Sequence, residues 1–194
     1  MGQFFSKKKS KSRPLKPTYK YLFAGPKCYE LAQKCLEHAI PSDRPLAIVD
    51  NAGYRQFHDI IIGGSDCRIA LEPYGGGKHG IIDHSSYIYQ TSVRIFIVDL
   101  NHENSLTRIQ TSINFIVNQC TRETGQKNII VALNDIPNEE LSVKARKFSE
   151  ENQLPYYEIN LSNAAGISEF MDYTIDFLSN LHSENYLHAS YNHS

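Results

Sequence analysis

Tryptophan is absent, methionine occurs only twice, and none of the four cysteines (Cys28, Cys35, Cys67, Cys120) belongs to a C-x-x-C pair. That cysteine spacing excludes a zinc ribbon and offers no framework for a disulfide-stapled scaffold, so reduced thiols in the cytosol are expected. No apolar run approaches the roughly 20 residues a membrane-spanning helix needs. No apolar segment follows the basic residues near the amino terminus, as the core of a secretory signal would. What remains is a chain of 194 residues with ordinary hydrophobic and charged content, suited to one soluble domain able to bury its own core.

A near-zero net charge conceals a division. Residues 1–20 carry Lys7, Lys8, Lys9, Lys11, Arg13, Lys16 and Lys20 and no acid, which makes that segment +7; the whole chain is −1, so residues 21–194 total −8. A basic arm precedes an acidic body. The arm opens Met1-Gly2-Gln3-Phe4-Phe5-Ser6, matching the M-G-x-x-x-[ST] pattern for myristoylation of Gly2. One myristoyl chain binds a bilayer only marginally, and basic neighbours supply the second signal at about 1 kcal/mol each near an anionic leaflet. Lys7, Lys8, Lys9, Lys11, Arg13 and Lys16 stand where that signal is needed, and Pro14 and Pro17 oppose a regular helix. The alternative is a solvated basic tail or a nuclear-localisation patch. Nucleic-acid binding by the body is disfavoured, because an acidic surface repels phosphates.

From Tyr19 the pattern turns globular. Tyr19–Ala24 is β-rich and ends at Gly25-Pro26; Tyr29–Ala39 then has helical spacing with Leu31, Cys35, Leu36 and Ala39 apolar. Further strands are expected at Leu46–Val49 or Ile60–Ile62, and at Cys67–Leu71, punctuated by Asn51-Ala52-Gly53 and Gly63-Gly64. Val93–Asp99 is nearly continuous in β-branched and aromatic residues, as befits a central strand covered on both faces. Ser105 is placed to cap a helix through Leu106, Ile109, Ile113, Ile116 and Val117, and Lys127–Leu133 reads as another buried strand. A helix from Asn138 to about Asn152 turns Leu141, Ala145 and Phe148 inward; a strand at Tyr156–Leu161 and a helix at Ser168–Leu181 follow. The order β-α-β-β-β-α-β-α-β-α implies a doubly wound α/β fold with a mostly parallel sheet, whose ligands bind at the carboxyl ends of the strands. The expected division is an arm over 1–18, one domain over 19–182 and a disordered polar tail over 183–194.

One β-pair inserted between the first helix and a central strand ending in Val98-Asp99 resembles the Ras-superfamily small GTPases, over residues 19–181. Ile95-Phe96-Ile97-Val98-Asp99-Leu100-Asn101-His102-Glu103-Asn104-Ser105-Leu106 is similar to the corresponding strand, loop and helix of Rab and Arf proteins. The acceptor Gly2 points to the Arf side, and Tyr191-Asn192-His193-Ser194 has no cysteine to prenylate. The resemblance implies a small-GTPase-like, P-loop-type domain.

The family's nucleotide motifs are damaged in this chain. A phosphate loop needs G-x-x-x-x-G-K-[ST], whose glycines let backbone N–H groups wrap the phosphates while the lysine and hydroxyl serve the charge and the magnesium ion. Counted from Gly25, those last three places hold Glu30, Leu31 and Ala32, and Pro26 removes a backbone donor. The D-x-x-G element falls at Glu72-Pro73-Tyr74-Gly75, or one residue later with Pro73 in the aspartate place, and the glycine survives. The guanine-reading N-K-x-D becomes Asn134-Asp135-Ile136-Pro137, and the S-A-K element falls at Asn160-Leu161-Ser162. The resemblance therefore implies a pseudo-GTPase without catalysis, carrying a vestigial pocket at Gly25, Glu30, Leu31, Ala32, Glu72, Gly75, Asn134 and Asp135. Leu22–Leu31 and Leu154-Pro155-Tyr156-Tyr157 are also similar to the centromere protein M family, small-GTPase-like kinetochore subunits that lack a working nucleotide site.

Other constellations carry less. His38, His58, His79, His84 and His102 show no metal-binding spacing, and only His79 with Asp83 and His84 forms a tight group, so no metal is expected. Gly75–Gly80 reads as a surface loop or an anion cradle. Cys28 and Cys35 share one helix face and suit core packing. Tyr87, Tyr89, Tyr156 and Tyr157 suit either interface anchors or ordinary half-buried pairs.

The leading expectation is a non-catalytic adaptor at the cytoplasmic face of a membrane, in trafficking or membrane-associated assembly. It binds the anionic surface through Gly2 and the arm, offers residues of about 50–90 to a protein partner, and needs no cofactor and no nucleic acid. A divergent GTPase is the first alternative; it would hold GTP or GDP with magnesium, using Lys27 or Lys78 for the missing lysine. A subunit of a cytoskeletal or kinetochore assembly is the second.

Overall fold

The computed structural model describes residues 17–39, 56–62, 64–74, 91–120 and 126–191. Strands β1 (Thr18–Ala24), β2 (Gln56–Ile62), β3 (Ser65–Tyr74), β4 (Val93–Asp99), β5 (Lys127–Leu133) and β6 (Tyr156–Ile159) form one sheet in the order β2-β3-β1-β4-β5-β6. Five strands run parallel and β2 is antiparallel to β3, with Phe57 opposite Ala70. Helices α1 (Cys28–Ala39), α2 (Glu103–Cys120), α3 (Glu139–Glu151) and α4 (Ile167–Tyr191) complete the fold. The chain is thus a doubly wound α/β protein, as the alternation of buried strands and crossover helices requires.

The period-two side-chain alternation of the strands divides the core. Tyr21, Phe23, Ile95, Ile97, Val131 and Leu133 face one layer, with Leu31 and Cys35 of α1 and Phe170, Met171 and Leu178 of α4. Leu22, Ala24, Phe96, Val98, Ile130 and Ala132 face the other, with Leu106, Ile109 and Ile113 of α2 and Leu141, Ala145 and Phe148 of α3. Every residue of β4 is buried, which explains its nearly continuous apolar sequence. Arg94 is the exception in chemistry: its guanidinium lies in the core and reaches the side-chain carbonyls of Gln126 and, at 3.4 Å, Asn128.

Several local expectations change. The second strand is Gln56–Ile62, while Leu46–Val49 lies outside the described residues. Ser105 does not cap α2, which starts at Glu103; its hydroxyl accepts the Asp99 N–H at 2.8 Å and ties the helix to the end of β4. Asn138 does cap α3, its side chain accepting the Leu141 N–H at 3.1 Å. Strand β6 stops at Ile159, because the Asn160 N–H turns to the Ala165 carbonyl. Helix α4 continues to Tyr191, through residues expected to be a disordered tail from 183. No proline or glycine follows Gly166, so nothing in the sequence stops the helix earlier.

Candidate functional site

In a doubly wound sheet the place to look is the carboxyl edge, where β1, β4, β5 and β6 hand over to their loops. Only Gly25, Pro26 and Lys27 separate β1 from α1. Gly25 has φ +134°, and a Cβ there would lie 2.6 Å from the Ile97 carbonyl oxygen, so the turn runs against the backbone of β4 and admits glycine alone. Lys27 has φ +50° in the left-handed region.

This turn is too short for a phosphate-wrapping loop. The places that would complete one lie within α1, and the Leu31 N–H already donates to the Lys27 carbonyl at 3.0 Å. Leu31 is 0% exposed and Ala32 3%. They belong to the stripe Cys28, Leu31, Ala32, Cys35, Leu36, whose 3-4 spacing aims it at the sheet and α4. Their expected place in a vestigial pocket is therefore corrected: both are core residues. Glu30 points outward and is exposed.

Lys27 reaches across the end of β4 to Asp135, in the loop after β5, with Nζ 2.7 Å from Oδ2. The other carboxylate oxygen of Asp135 accepts the N–H of Leu161 at 2.7 Å and of Ser162 at 3.4 Å, in the loop after β6. The hydrogen bond from Lys27 holds the Asp135 carboxyl below the usual carboxylate range against the opposing effect of burial. The same bond holds the Lys27 amine above its ordinary value. Asn134, beside Asp135, donates from its amide side chain to Glu158 Oε2 at 3.1 Å and receives Asn160 Nδ2 on its carbonyl at 3.0 Å. Its own Oδ1 is buried with no hydrogen-bond partner among the described residues.

Glu158 gathers a second set of contacts. It accepts from Ser142, from Tyr156 Oη at 2.9 Å and from Arg146 at 3.0 Å, joining the edge strand to α3. Burial pushes this carboxyl upward, but the hydrogen bonds from Ser142, Tyr156 and Asn134 and the nearby Arg146 outweigh it, and it sits below the usual range. Arg146 also lies 4.7 Å over the Tyr156 ring, and Tyr157 packs on Phe170 and Tyr173, so both tyrosines are half-buried packing residues.

The first turns of the helices place Glu30, Glu103, Glu139, Glu140 and Glu169 at this same edge. Each carboxylate interacts with its own helix dipole and leaves the edge unfavourable to a phosphate. Among the described residues a groove of about 500 Å³ runs between α2 and α3 over Leu106, Leu141 and Phe148, starting from Glu103 and Glu140.

The structure thus brings together Gly25, Lys27, Asn134 and Asp135, and separates Leu31 and Ala32 from them. Glu72 pairs with Leu22 across β1 and β3. Gly2, Lys7, Lys8, Lys9, Lys11, Arg13, Lys16, Gly75, Lys78, His79, Asp83, His84, Tyr87 and Tyr89 lie outside the described residues, as do residues 50–55, 63 and 75–90 of the partner surface expected over 50–90. Cys28, Cys35 and Cys67 are buried free thiols, as core packing predicts. Among the described residues no group of three metal-ligating side chains occurs, and no helix is long and apolar enough to cross a membrane.

Sequence reading missed the pairing of Lys27 with Asp135 and the contacts of Glu158. The available signal was positional: Lys27 and Asp135 each fall just beyond the carboxyl end of a buried strand, with opposite charge. The fold and edge define a doubly wound α/β protein in which, among the described residues, Lys27 and Asp135 join the loops after β1, β5 and β6. Compared with protein-family models and with curated protein sequences, the chain matches none.

Proposed function

We propose that the chain is a non-catalytic adaptor built on a small-GTPase-like domain, held at the cytoplasmic face of a membrane through myristoylated Gly2 and the cations Lys7 to Lys16. The former switch segment, residues of about 50–90, meets a protein partner. The sheet order, with the antiparallel β2 at the edge beside β3 and five parallel strands from β3 to β6, supports the small-GTPase-like reading of the fold. The observation that carries the adaptor reading is the state of the carboxyl edge. Leu31 and Ala32 stand where the phosphate lysine and hydroxyl should be and are core residues, while the ammonium of Lys27 is engaged by Asp135.

Thermal shift with GTP, GDP and ATP, each with magnesium, tests the loss of nucleotide binding: no nucleotide should move the midpoint. Stabilisation by several degrees with one of them overturns the reading in favour of a divergent GTP-binding protein, in which Lys27 leaves Asp135 for a phosphate. The anchor is tested separately. Myristoylated chain should sediment with vesicles containing phosphatidylserine, and Gly2→Ala should leave it in the supernatant; equal sedimentation of both removes the anchor.

A further inference from the structure

We propose that the Lys27–Asp135 ion pair is an internal latch holding the β1–α1, β5–α3 and β6–α4 loops in one arrangement, so that opening it loosens all three together. The inference rests on reading this edge as one that no nucleotide holds together. The two fail separately, since bound nucleotide appears as a thermal shift and uncoupled loops appear in hydrogen exchange.

Strands β1 and β5 are not neighbours; β4 lies between them, which sets their ends about 10 Å apart. Loops at such a distance are joined by a ligand or by long side chains. Here Lys27 spans β4 to reach Asp135, and Asp135 passes the connection on through the Leu161 and Ser162 N–H groups. One carboxylate thus uses one oxygen for the first loop and the other oxygen for the third. The contact lies at the rim, with about a third of the Lys27 side chain and 15% of Asp135 open to solvent, so a competing charge or acid can reach it.

Backbone strain lies at both ends of this connection. Lys27 at φ +50° and Ala164 at φ +61° are non-glycine residues in the left-handed region, a conformation that persists where surrounding contacts impose it. With the ion pair broken, the β1–α1 turn loses its side-chain tie to the loop after β5. The turn keeps the hydrogen bond from the Leu31 N–H to the Lys27 carbonyl at 3.0 Å and the close approach of Gly25 to the backbone of β4. The loop after β6 keeps its local bonds, Asn163 N–H to Asn160 Oδ1 and Ala165 N–H to Asn163 Oδ1, but loses the support of a carboxylate fixed by Lys27.

Hydrogen-exchange mass spectrometry of the full chain compares wild type with Lys27→Met, Lys27→Arg and Asp135→Asn. Lys27→Met should speed exchange over residues 160–166 by about threefold to tenfold, although that segment is joined to Lys27 only through Asp135. Asp135→Asn should speed residues 25–31 as well as 160–166, and Lys27→Arg should stay close to wild type. Acceleration by Lys27→Met confined to residues 25–31 overturns the latch. Should Lys27→Met fail to fold by circular dichroism, wild type in 1 M sodium chloride replaces it: screening should speed both segments together, and unchanged exchange at 160–166 overturns the proposal equally.

Discussion

Lys27 and Asp135 stand 108 positions apart in the chain, and their charged atoms meet at 2.7 Å across the end of β4. The contact occupies the rim where a doubly wound sheet ordinarily receives its ligand. It is made by residues in two short loops, each fixed by a buried strand beneath it. The chain supplies its own cation to a carboxylate that would otherwise face the solvent beside Glu30 and Glu139.

Removing the ammonium should cost little in global stability. Lys27→Ala is expected to lower the free energy of unfolding by about 0.5–1 kcal/mol, the range of a partly exposed ion pair, and the loss should shrink in high salt. Lys27→Gly removes the same charge but relieves the left-handed backbone, so it should be more stable than Lys27→Ala by about 1 kcal/mol. Urea unfolding of the two variants checks the sign. Equal midpoints would mean that φ +50° at position 27 imposes no strain.

Acid should weaken the carboxyl edge. Asp135 and Glu158 are both held below the usual carboxylate range in the folded state. A depressed folded value means the unfolded chain takes up protons first. Their contribution is therefore complete above the unfolded value, about 4, and is lost as pH falls through the lower folded values. Lys27 works in the opposite direction: its raised amine contributes fully below about 10.4 and the contribution is lost as pH rises through the folded value. Urea midpoints measured from pH 7 down to pH 2 should fall, and Asp135→Asn and Glu158→Gln should each flatten that fall. A variant curve parallel to wild type removes that residue from the account.

Placing a lysine at position 31, where the proposed GTPase-like reading puts a phosphate lysine, should not create a nucleotide site. Leu31→Lys places an ammonium in a fully buried position between α1 and the sheet, which is expected to destabilise by about 3–5 kcal/mol and to confer no nucleotide binding. Leu31→Met, similar in volume, should cost below about 1.5 kcal/mol. Chemical denaturation of both variants, with GTP present and absent, distinguishes these outcomes. A stable Leu31→Lys protein that binds GTP would show that α1 can unwind into a phosphate loop.

The glycine of the β1–α1 turn should be irreplaceable. Gly25→Ala brings a Cβ to 2.6 Å from the Ile97 carbonyl oxygen at φ +134°, and either β4 or the turn must move. A loss of about 3 kcal/mol is expected. Gly166→Ala, with 2.2 Å to the Glu158 carbonyl oxygen at φ +83°, should behave alike. Thermal melts of the single variants check both, and a midpoint within a degree of wild type would refute the steric reading.

The order of strands and helices was legible in the sequence because each element buries a face, and burial writes a period into the chain. Val93–Asp99 declared a fully covered strand by its nearly continuous apolar run, and Leu141, Ala145 and Phe148 declared the inner face of α3 by their spacing. Ends were less legible, since they depend on single hydrogen bonds. Ser105 spends its hydroxyl on the Asp99 N–H instead of capping a helix, and β6 stops where Asn160 turns to Ala165.

The carboxyl edge was legible only in part. Counting position by position from Gly25 placed Leu31 and Ala32 in a pocket, whereas helical spacing puts them in the core. By itself, the sequence determined the layering and the division into a basic arm and an acidic body. Only the tertiary structure decided which charges meet. Periodicity records what a residue buries, whereas the pairing of Lys27 with Asp135 and of Asn134 with Glu158 depends on which strands lie side by side, a property of the assembled sheet that no local stretch of sequence carries.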